Sequence, residues 1–495
     1  MVGVGRRGVM SRFFTREPIV AIVTVGLVVT ACAQEADDNP LVAAREGPDA
    51  TIEETEATNG EQPTAPEDLA ELTAASLADI EAFWVETYPQ LYGSEWQPLQ
   101  GGYAPYGPDT IPLPCDSLFY ETIAENAFYC REPDLIAWDE VNLVPPLADG
   151  FGGLTVAAVL AHEFGHAAQE RSGFEDESLW IEQQADCFAG AWTAWIAAGN
   201  SDSFSVTGDD LDFVVAGFLA FGDPAGSSPT DPGAHGSGFD QVSAFQDGYS
   251  QGPERCVEYE DPSSRPGITE IPFLTRDQEA SGGNRPTDEL LTLAEQNLNL
   301  HHTLLFEELG ESWDDVTLHV VDPATDEVEC NGDTIGGDGL ELASLYCQAE
   351  RTVVLGRDLI DEGFGDLESL EEIGDFAIGA EIGRLYARAA QLQVGLDDEN
   401  EQTSRLADCM TGYWAQQIFP TNENADTPLN QASDEDGSDL VLSAGDLDEA
   451  FMAFLTYGRA LQETGATAFE RLAALRLGLW GSIDDCQDQY GSLTG

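Results

Sequence analysis

The feature that most constrains the fold is an internal repeat. Landmarks in the first half of the chain recur in the same order in the second. Tyr92-Gly93-Ser94-Glu95-Trp96 meets Leu309-Gly310-Glu311-Ser312-Trp313, and Cys115 and Phe128-Tyr129-Cys130 meet Cys330 and Leu345-Tyr346-Cys347. Ala167-Ala168-Gln169 meets Ala389-Ala390-Gln391; Ala185-Asp186-Cys187 with Gly190 and Trp192 meets Ala407-Asp408-Cys409 with Gly412 and Trp414. Asp210-Leu211-Asp212 meets Asp446-Leu447-Asp448, and Phe239 and Cys256 meet Phe469 and Cys486. The offset grows from 330 − 115 = 215 to 486 − 256 = 230, so loops differ in length while the landmarks keep their order. Such a pattern predicts two tandem domains of one fold, over residues 66–260 and 284–490, with the Pro-, Gly- and Ser-containing stretch 261–283 as linker.

Ahead of the repeat, Arg6, Arg7, Arg12 and Arg16 precede an apolar stretch from Ile19 to Ala31, the pattern of an export signal and short for a spanning helix. The stretch ends in Val29-Thr30-Ala31-Cys32, which resembles a bacterial lipobox. That resemblance implies removal of residues 1–31, a lipid on the Cys32 thiol and a place on the outer face of the cell membrane. Ordinary signal cleavage and secretion is the alternative. Residues 32–65, acidic and poor in large apolar side chains, read as a flexible tether.

Setting Cys32 aside leaves eight of the nine cysteines, four per half, an even count that suggests disulfides in an exported chain. Each half allows three connectivities. Local pairing is the choice made here: Cys115–Cys130, Cys187–Cys256, Cys330–Cys347 and Cys409–Cys486. The net charge is −73, and all 19 basic residues are Arg. This charge disfavours nucleic acid or an anionic membrane surface as a partner and suits a solvated surface at high salt.

The chemistry concentrates in one predicted helix, Leu154–Gln169, which contains His162-Glu163-Phe164-Gly165-His166. Imidazoles at i and i+4 share a helical face and can reach one tetrahedral Zn²⁺, with Glu163 as general base on its water. The next predicted helix, from about Leu179, brings Glu182 as a third ligand. Asp186, one turn later, can accept the other ring N–H of a ligating histidine. His235, in a Gly/Pro/Ser-rich loop, is a candidate donor to a developing oxyanion, or else an exposed loop imidazole. Leu135-Ile136-Ala137-Trp138 reads as a strand, either a core strand or one able to pair with an extended substrate.

These residues resemble the bacterial neutral zinc metallopeptidase family, whose signature is HExGH with a following Gln, then Glu-x-Gln-Ala-Asp-Cys-Phe-Ala-Gly. The matching residues are His162–His166, Gln169 and Glu182–Gly190 with Trp192. Weaker matches are Phe128-Tyr129-Cys130, Gly222-Asp223, and His235-Gly236 followed by Phe245, Gly248 and Cys256. The resemblance covers about residues 115–256. It implies a zincin-like fold, peptide hydrolysis and metal ligation by His162, His166 and Glu182. Ala167 stands where a larger residue or a second His is expected, and the stretch after His235 lacks an expected Arg; both departures bear on substrate contacts.

In the second half the repeat places Arg384 opposite His162, Leu385 opposite Glu163, Arg388 opposite His166 and Ser404 opposite Glu182. Arg offers no lone pair, so this half is expected to lack the metal and the chemistry. His301, His302 and His319 show no ligand spacing and read as structural or surface residues. The expectation is thus a mainly α (α+β) protein of two zincin-like domains, lipid-anchored, binding Zn²⁺ and cutting a peptide or protein substrate. The rival is a non-catalytic cell-surface binding or scaffold lipoprotein that retains a zinc site.

Overall fold

The computed structural model describes residues 65–493 apart from 67, 232, 270, 272, 274, 341–342, 361–373, 397–399, 421–439 and 458–465. The export segment, Cys32 and all but the last residue of the expected tether lie outside the described residues. The described chain is mainly helical with short strands.

The first half runs α1 (Leu69–Tyr92), β1 (Gly102–Tyr106), β2 (Ala127–Cys130), β3 (Leu135–Asp139), α2 (Val144–Ser172), α3 (Ser178–Trp195), α4 (Gly208–Ala220), α5 (Gly238–Gln251) and α6 (Pro253–Glu258). The segment joining the halves carries the short α7 (Arg276–Ala280). The second half runs α8 (Thr287–Leu309), β4 (Thr317–Val321), β5 (Glu327–Cys330), β6 (Asp333–Gly336), β7 (Ser344–Cys347), β8 (Thr352–Gly356), α9 (Asp375–Gln393), α10 (Glu401–Gln417), α11 (Asp446–Tyr457), α12 (Ala468–Trp480) and α13 (Ile483–Tyr490).

Local chemistry sets the helix ends. Asp68 caps α1 by accepting the Glu71 N–H at 3.0 Å. Proline at the start of α2 removes a donor that has no intrahelical partner. Gly173 ends α2 in the left-handed region (φ 78°), its N–H reaching the Gln169 carbonyl at 2.8 Å.

Each half holds a three-stranded sheet of the same design. In the first the order is β1-β3-β2, with β1 parallel and β2 antiparallel to β3. In the second it is β4-β8-β7, with the same senses. Leu135–Trp138 therefore forms a central strand bonded on both sides. This corrects the option that it pairs with substrate, since its backbone groups are already used. β1 and β2 are the edge strands, and β2 is the one that borders the cleft.

Helices pack at backbone contact where glycine permits it. A side chain at Gly190 would strike the Phe245 carbonyl, and one at Gly248 would strike that of Cys187, so α3 and α5 lie against each other. Gly412 against Leu475 and Gly478 against Cys409 do the same for α10 and α12. All four disulfides form locally: Cys115–Cys130, Cys187–Cys256, Cys330–Cys347 and Cys409–Cys486.

One continuous apolar core runs through both halves, from Trp84, Phe188 and Phe245 to Phe376, Trp414 and Phe451. The contact between halves is reciprocal. Asp212 Oδ1 accepts the Phe469 N–H at 2.8 Å near the start of α12, and Asp448 Oδ1 accepts the Phe239 N–H at 2.7 Å at the start of α5. The expected linker is fastened rather than loose: Thr269 donates its N–H and Oγ1–H to Asp240 Oδ1, each at 2.8 Å, and the Arg265 guanidinium lies 4.6 Å from the Trp180 ring centre.

Candidate metal centre

The long α2 carries His162, Glu163 and His166, and α3 returns alongside it. Gly165 sets their spacing, because a Cβ there would come within 2.9 Å of the Ala185 Cα. That close approach brings the α3 carboxylates to the α2 imidazoles. His162 Nε2 and His166 Nε2 lie 3.1 Å apart, and Glu182 Oε2 lies 3.2 Å from each. Ligand atoms about 2.0–2.1 Å from one tetrahedral zinc sit roughly 3.3–3.4 Å from each other, close to this triangle.

The outward nitrogens are committed elsewhere. Asp186 Oδ1 lies 2.6 Å from His162 Nδ1. Gln169 Oε1 lies 2.9 Å from His166 Nδ1, while its Nε2 donates to the Ile181 carbonyl at 2.7 Å. The Gln169 amide is thereby oriented with its oxygen toward the ring. Both rings are asked to carry a proton on Nδ1 and to present an Nε2 lone pair inward. Two nitrogen lone pairs and a carboxylate oxygen then converge, an arrangement that calls for a cation at its centre.

The electrostatics express the same demand. Burial alone would lower the His162 pKa, but Asp186 and then Glu182 overcome it and hold it well above the ordinary value. His166 is likewise raised, burial being outweighed by Glu182. Burial would raise Glu182; His166 and His162 instead hold it well below the carboxylate range. Asp186 is raised by burial against the opposing pull of His162. The 2.6 Å contact itself suits an Nδ1–H donated to the Asp186 carboxylate, the tautomer that leaves Nε2 for ligation.

A cleft of about 420 Å³ opens over this cluster. Glu163, buried at the cleft wall, follows His162 directly. The apolar side includes Phe128, Val159, Phe218 and Phe221, and residues Asn126–Tyr129 of the β2 edge form another wall. His235 also lines the cleft, its Nε2 3.9 Å from Glu182 Oε2, outside the three-atom ligand cluster. Its loop is held by Asp223, which accepts the His235 and Gly236 N–H groups at 2.6 and 3.0 Å, and by Gln183, which donates to the His235 carbonyl at 3.0 Å. Burial would lower the His235 pKa, but Asp223 and Glu182 raise it to about 9. His235 therefore lines the cleft between Asp223 and Glu182 rather than standing as an exposed loop imidazole.

Every polar residue of the segment 182–187 has a task. Glu182 and Asp186 face the imidazoles, Gln183 holds the His235 loop, Gln184 donates to the Cys256 carbonyl at 3.0 Å, and Cys187 is bonded to Cys256. Gln169 and Asp223 are the positioning residues that sequence reasoning gave no role. A readable signal for Gln169 was a polar residue three places after His166 on an otherwise apolar helix face.

At the corresponding place in the second half, guanidinium groups take the cationic role. Arg384 donates to both oxygens of Glu381, at 2.8 and 2.6 Å. Arg471 donates to both oxygens of Asp408, at 3.0 and 2.9 Å, and both side chains are fully buried. Arg388 donates to Gln391 Oε1 at 3.1 Å, and Gln391 Nε2 reaches the Thr403 carbonyl at 2.8 Å, as Gln169 reaches that of Ile181. His301 and His302 are buried in α8 among Trp313, Tyr386 and Tyr413, and His319 is exposed on β4.

Comparison of the chain with protein families, with curated proteins and with solved structures found no match.

Proposed function

We propose that the chain is a zinc-dependent peptidase with a zincin-like catalytic half and a second half that is a degenerate copy of the same fold. The observation that carries this reading is the convergence of His162 Nε2, His166 Nε2 and Glu182 Oε2, with tautomers set by Asp186 and Gln169, beside the uncommitted carboxyl of Glu163. The donor set fits zinc: two imidazoles, one carboxylate and an open side toward the cleft. The reading of two related halves is supported by the matching sheets, the matching glycine contacts and the four local disulfides.

A zinc ion held by these three residues supplies Lewis acidity for a carbonyl and a water acidified toward neutral pH. Glu163 accepts the proton of the attacking water and delivers it to the leaving amine. His235, on the loop that Asp223 holds, donates to the carbonyl oxygen as negative charge develops there. The free edge of β2 aligns an extended peptide by backbone hydrogen bonds, and Phe128, Phe218 and Phe221 offer an apolar recess for a side chain. No serine or cysteine nucleophile is needed.

Export, the lipid on Cys32 and attachment to the outer membrane face belong to the same proposal and rest on the sequence of residues 1–32. The test is cleavage of a mixed peptide library by the mature protein in high salt, wild type beside Glu163→Gln, with zinc measured on both. Zinc near one per chain in both, and cleavage by wild type only, is the expected result. Zinc in both with no cleavage by either favours the scaffold reading; zinc in neither overturns the ligand assignment.

A further inference from the structure

A second cluster of acids lies far from the cleft histidines in sequence and makes no use of them. Asp375 at the start of α9 and Asp446 and Glu449 in the first turn of α11 each place a carboxylate oxygen within 4.8 Å of the other two. All three side chains are buried. Their hydrogen bonds come from neutral groups. Ser443 gives its N–H and Oγ–H to Asp446 at 2.8 and 2.7 Å, the Arg285 backbone N–H reaches Asp375 Oδ2 at 3.0 Å, and the Phe376 N–H reaches Glu449 Oε2 at 2.9 Å. The Arg285 guanidinium is turned to Glu289 at 3.4 Å and to the Val441 carbonyl at 3.5 Å.

A further observation separates this cluster from an ordinary acidic patch. Asp375 Oδ1 is buried, in a residue only 5 % exposed, and has no hydrogen-bond partner among the described residues. The Glu449 carboxylate is also pressed against the backbone of Gly374 (φ 117°), where any side chain would collide with it. Nor is the cluster part of the pattern shared by the halves. The positions paired with Asp375 and Glu449 are Gly153 and Phe213, so these two carboxylates belong to the second half alone.

We propose that Asp375, Asp446 and Glu449 bind a divalent cation of the calcium class. All the donors are oxygens, with the Gly283 and Ala444 carbonyls beside Ser443. Hard oxygen donors with several carboxylates select Ca²⁺, whose ligands lie at about 2.3–2.6 Å, so oxygens across the ion stand roughly 4.6–5.2 Å apart. Without a cation the charges have to be removed by protons. Burial and then the neighbouring carboxylates raise Asp446 and Glu449 well above the usual range, and burial pushes Asp375 up to about 6.

Bound there, the ion ties the start of α9, the segment at Gly283–Arg285 and the first turn of α11. That turn also carries Asp448, which accepts the Gly238 and Phe239 N–H groups at 3.2 and 2.7 Å. Those donors open α5 immediately after the His235 loop. The second half would thus stiffen the far side of the cleft, whether or not the first half is a peptidase.

The test uses the full mature, zinc-loaded protein at pH 7.5 in about 1 M NaCl, where surface carboxylates are screened. Equilibrium dialysis with radioactive Ca²⁺ compares wild type with Glu449→Gln and Asp446→Asn. Wild type is expected to hold one tightly bound Ca²⁺ more than either variant. Saturating Ca²⁺ should raise the wild-type Tm by roughly 5 °C and leave the variants unmoved, with zinc per chain unchanged throughout. Equal Ca²⁺ in all three proteins, or no tight site in wild type, overturns the proposal. Should the variants fail to fold, hydrogen exchange of wild type with and without Ca²⁺ decides: protection must grow at residues 374–376 and 443–449, and no change there overturns it.

Discussion

The two halves meet the same electrostatic problem and solve it differently. Each buries an aspartate on the helix after the long central one, Asp186 in α3 and Asp408 in α10. In the first half Asp186 faces an imidazole whose other nitrogen points at a carboxylate, so the charge is passed to a place open to the cleft. In the second half Asp408 is closed off by the Arg471 guanidinium through two hydrogen bonds. A guanidinium brings its own positive charge and five donors but no lone pair. The second arrangement supplies its own counter-charge; the first leaves two ring nitrogens and a carboxylate oxygen converging at the cleft, where the proposed cation would sit.

Exchanging the key residues tests the comparison most severely. His162→Arg with His166→Arg is expected to abolish zinc retention and lower peptide cleavage by about 10⁴-fold or more, as read by metal analysis and kcat/KM. The reverse change, Arg384→His with Arg388→His, is expected to recruit no zinc. Ser404 supplies no carboxylate and Arg471 still occupies Asp408. Zinc in that second variant would break the comparison.

Next in size is the strut itself. Arg471→Met strands a buried carboxylate, and removing one partner of a buried pair costs about 3–5 kcal/mol. Urea unfolding should show this loss, and the double change Arg471→Met with Asp408→Leu should recover most of it. The same aspartate position in the first half acts on metal instead: Asp186→Asn is expected to weaken zinc binding about 10–100-fold by competition with a chelator, while Asp408→Asn leaves zinc binding unchanged.

What the sequence made legible follows from what is local. The helix with His162 and His166 and the return of Glu182 and Asp186 on the next helix are written in spacing and order, while the cysteine order left three pairings per half, of which the structure forms the local one. The helix edges were less legible: the expected Leu154–Gln169 is the second part of α2, which begins at Val144 and passes a positive-φ glycine at Gly152. Periodicity cannot cross a glycine kink unaided. The sheet order was hidden because it depends on which of three short strands lies in the middle. That fact took Leu135–Trp138 out of the edge and left Ala127–Cys130 as the edge strand at the cleft. The Asp375–Asp446–Glu449 cluster was hidden for a related reason, since Asp375 is distant in sequence from the other two. In a chain with 92 acidic residues, an isolated Asp carries little signal of its own.

The smallest effect concerns the histidines that face rings rather than carboxylates. Burial lowers His301 to about 4 and, with His301 beside it, takes His302 well below its usual value. Unfolded, each has a pKa near about 6.5. Below that pH the unfolded chain binds protons that the folded chain refuses, so this contribution to stability is present above about pH 6.5 and is lost as pH falls. Asp375, raised to about 6, and Asp448, raised to about 7, act in the opposite sense, because in the folded state they take up protons before the unfolded state does. Wild type therefore shows the sum of opposing contributions, to which the raised His235, Asp446 and Glu449 also add. His302→Phe keeps the stacking on Trp313, 4.8 Å away, and removes one of the refused protons. Urea titrations at pH 7.5 and pH 5 should show the variant losing roughly 1–2 kcal/mol less than wild type on acidification. An equal loss in both would mean that His302 takes up its proton as readily in the fold as in the unfolded chain, so that the surrounding rings do not exclude its charge.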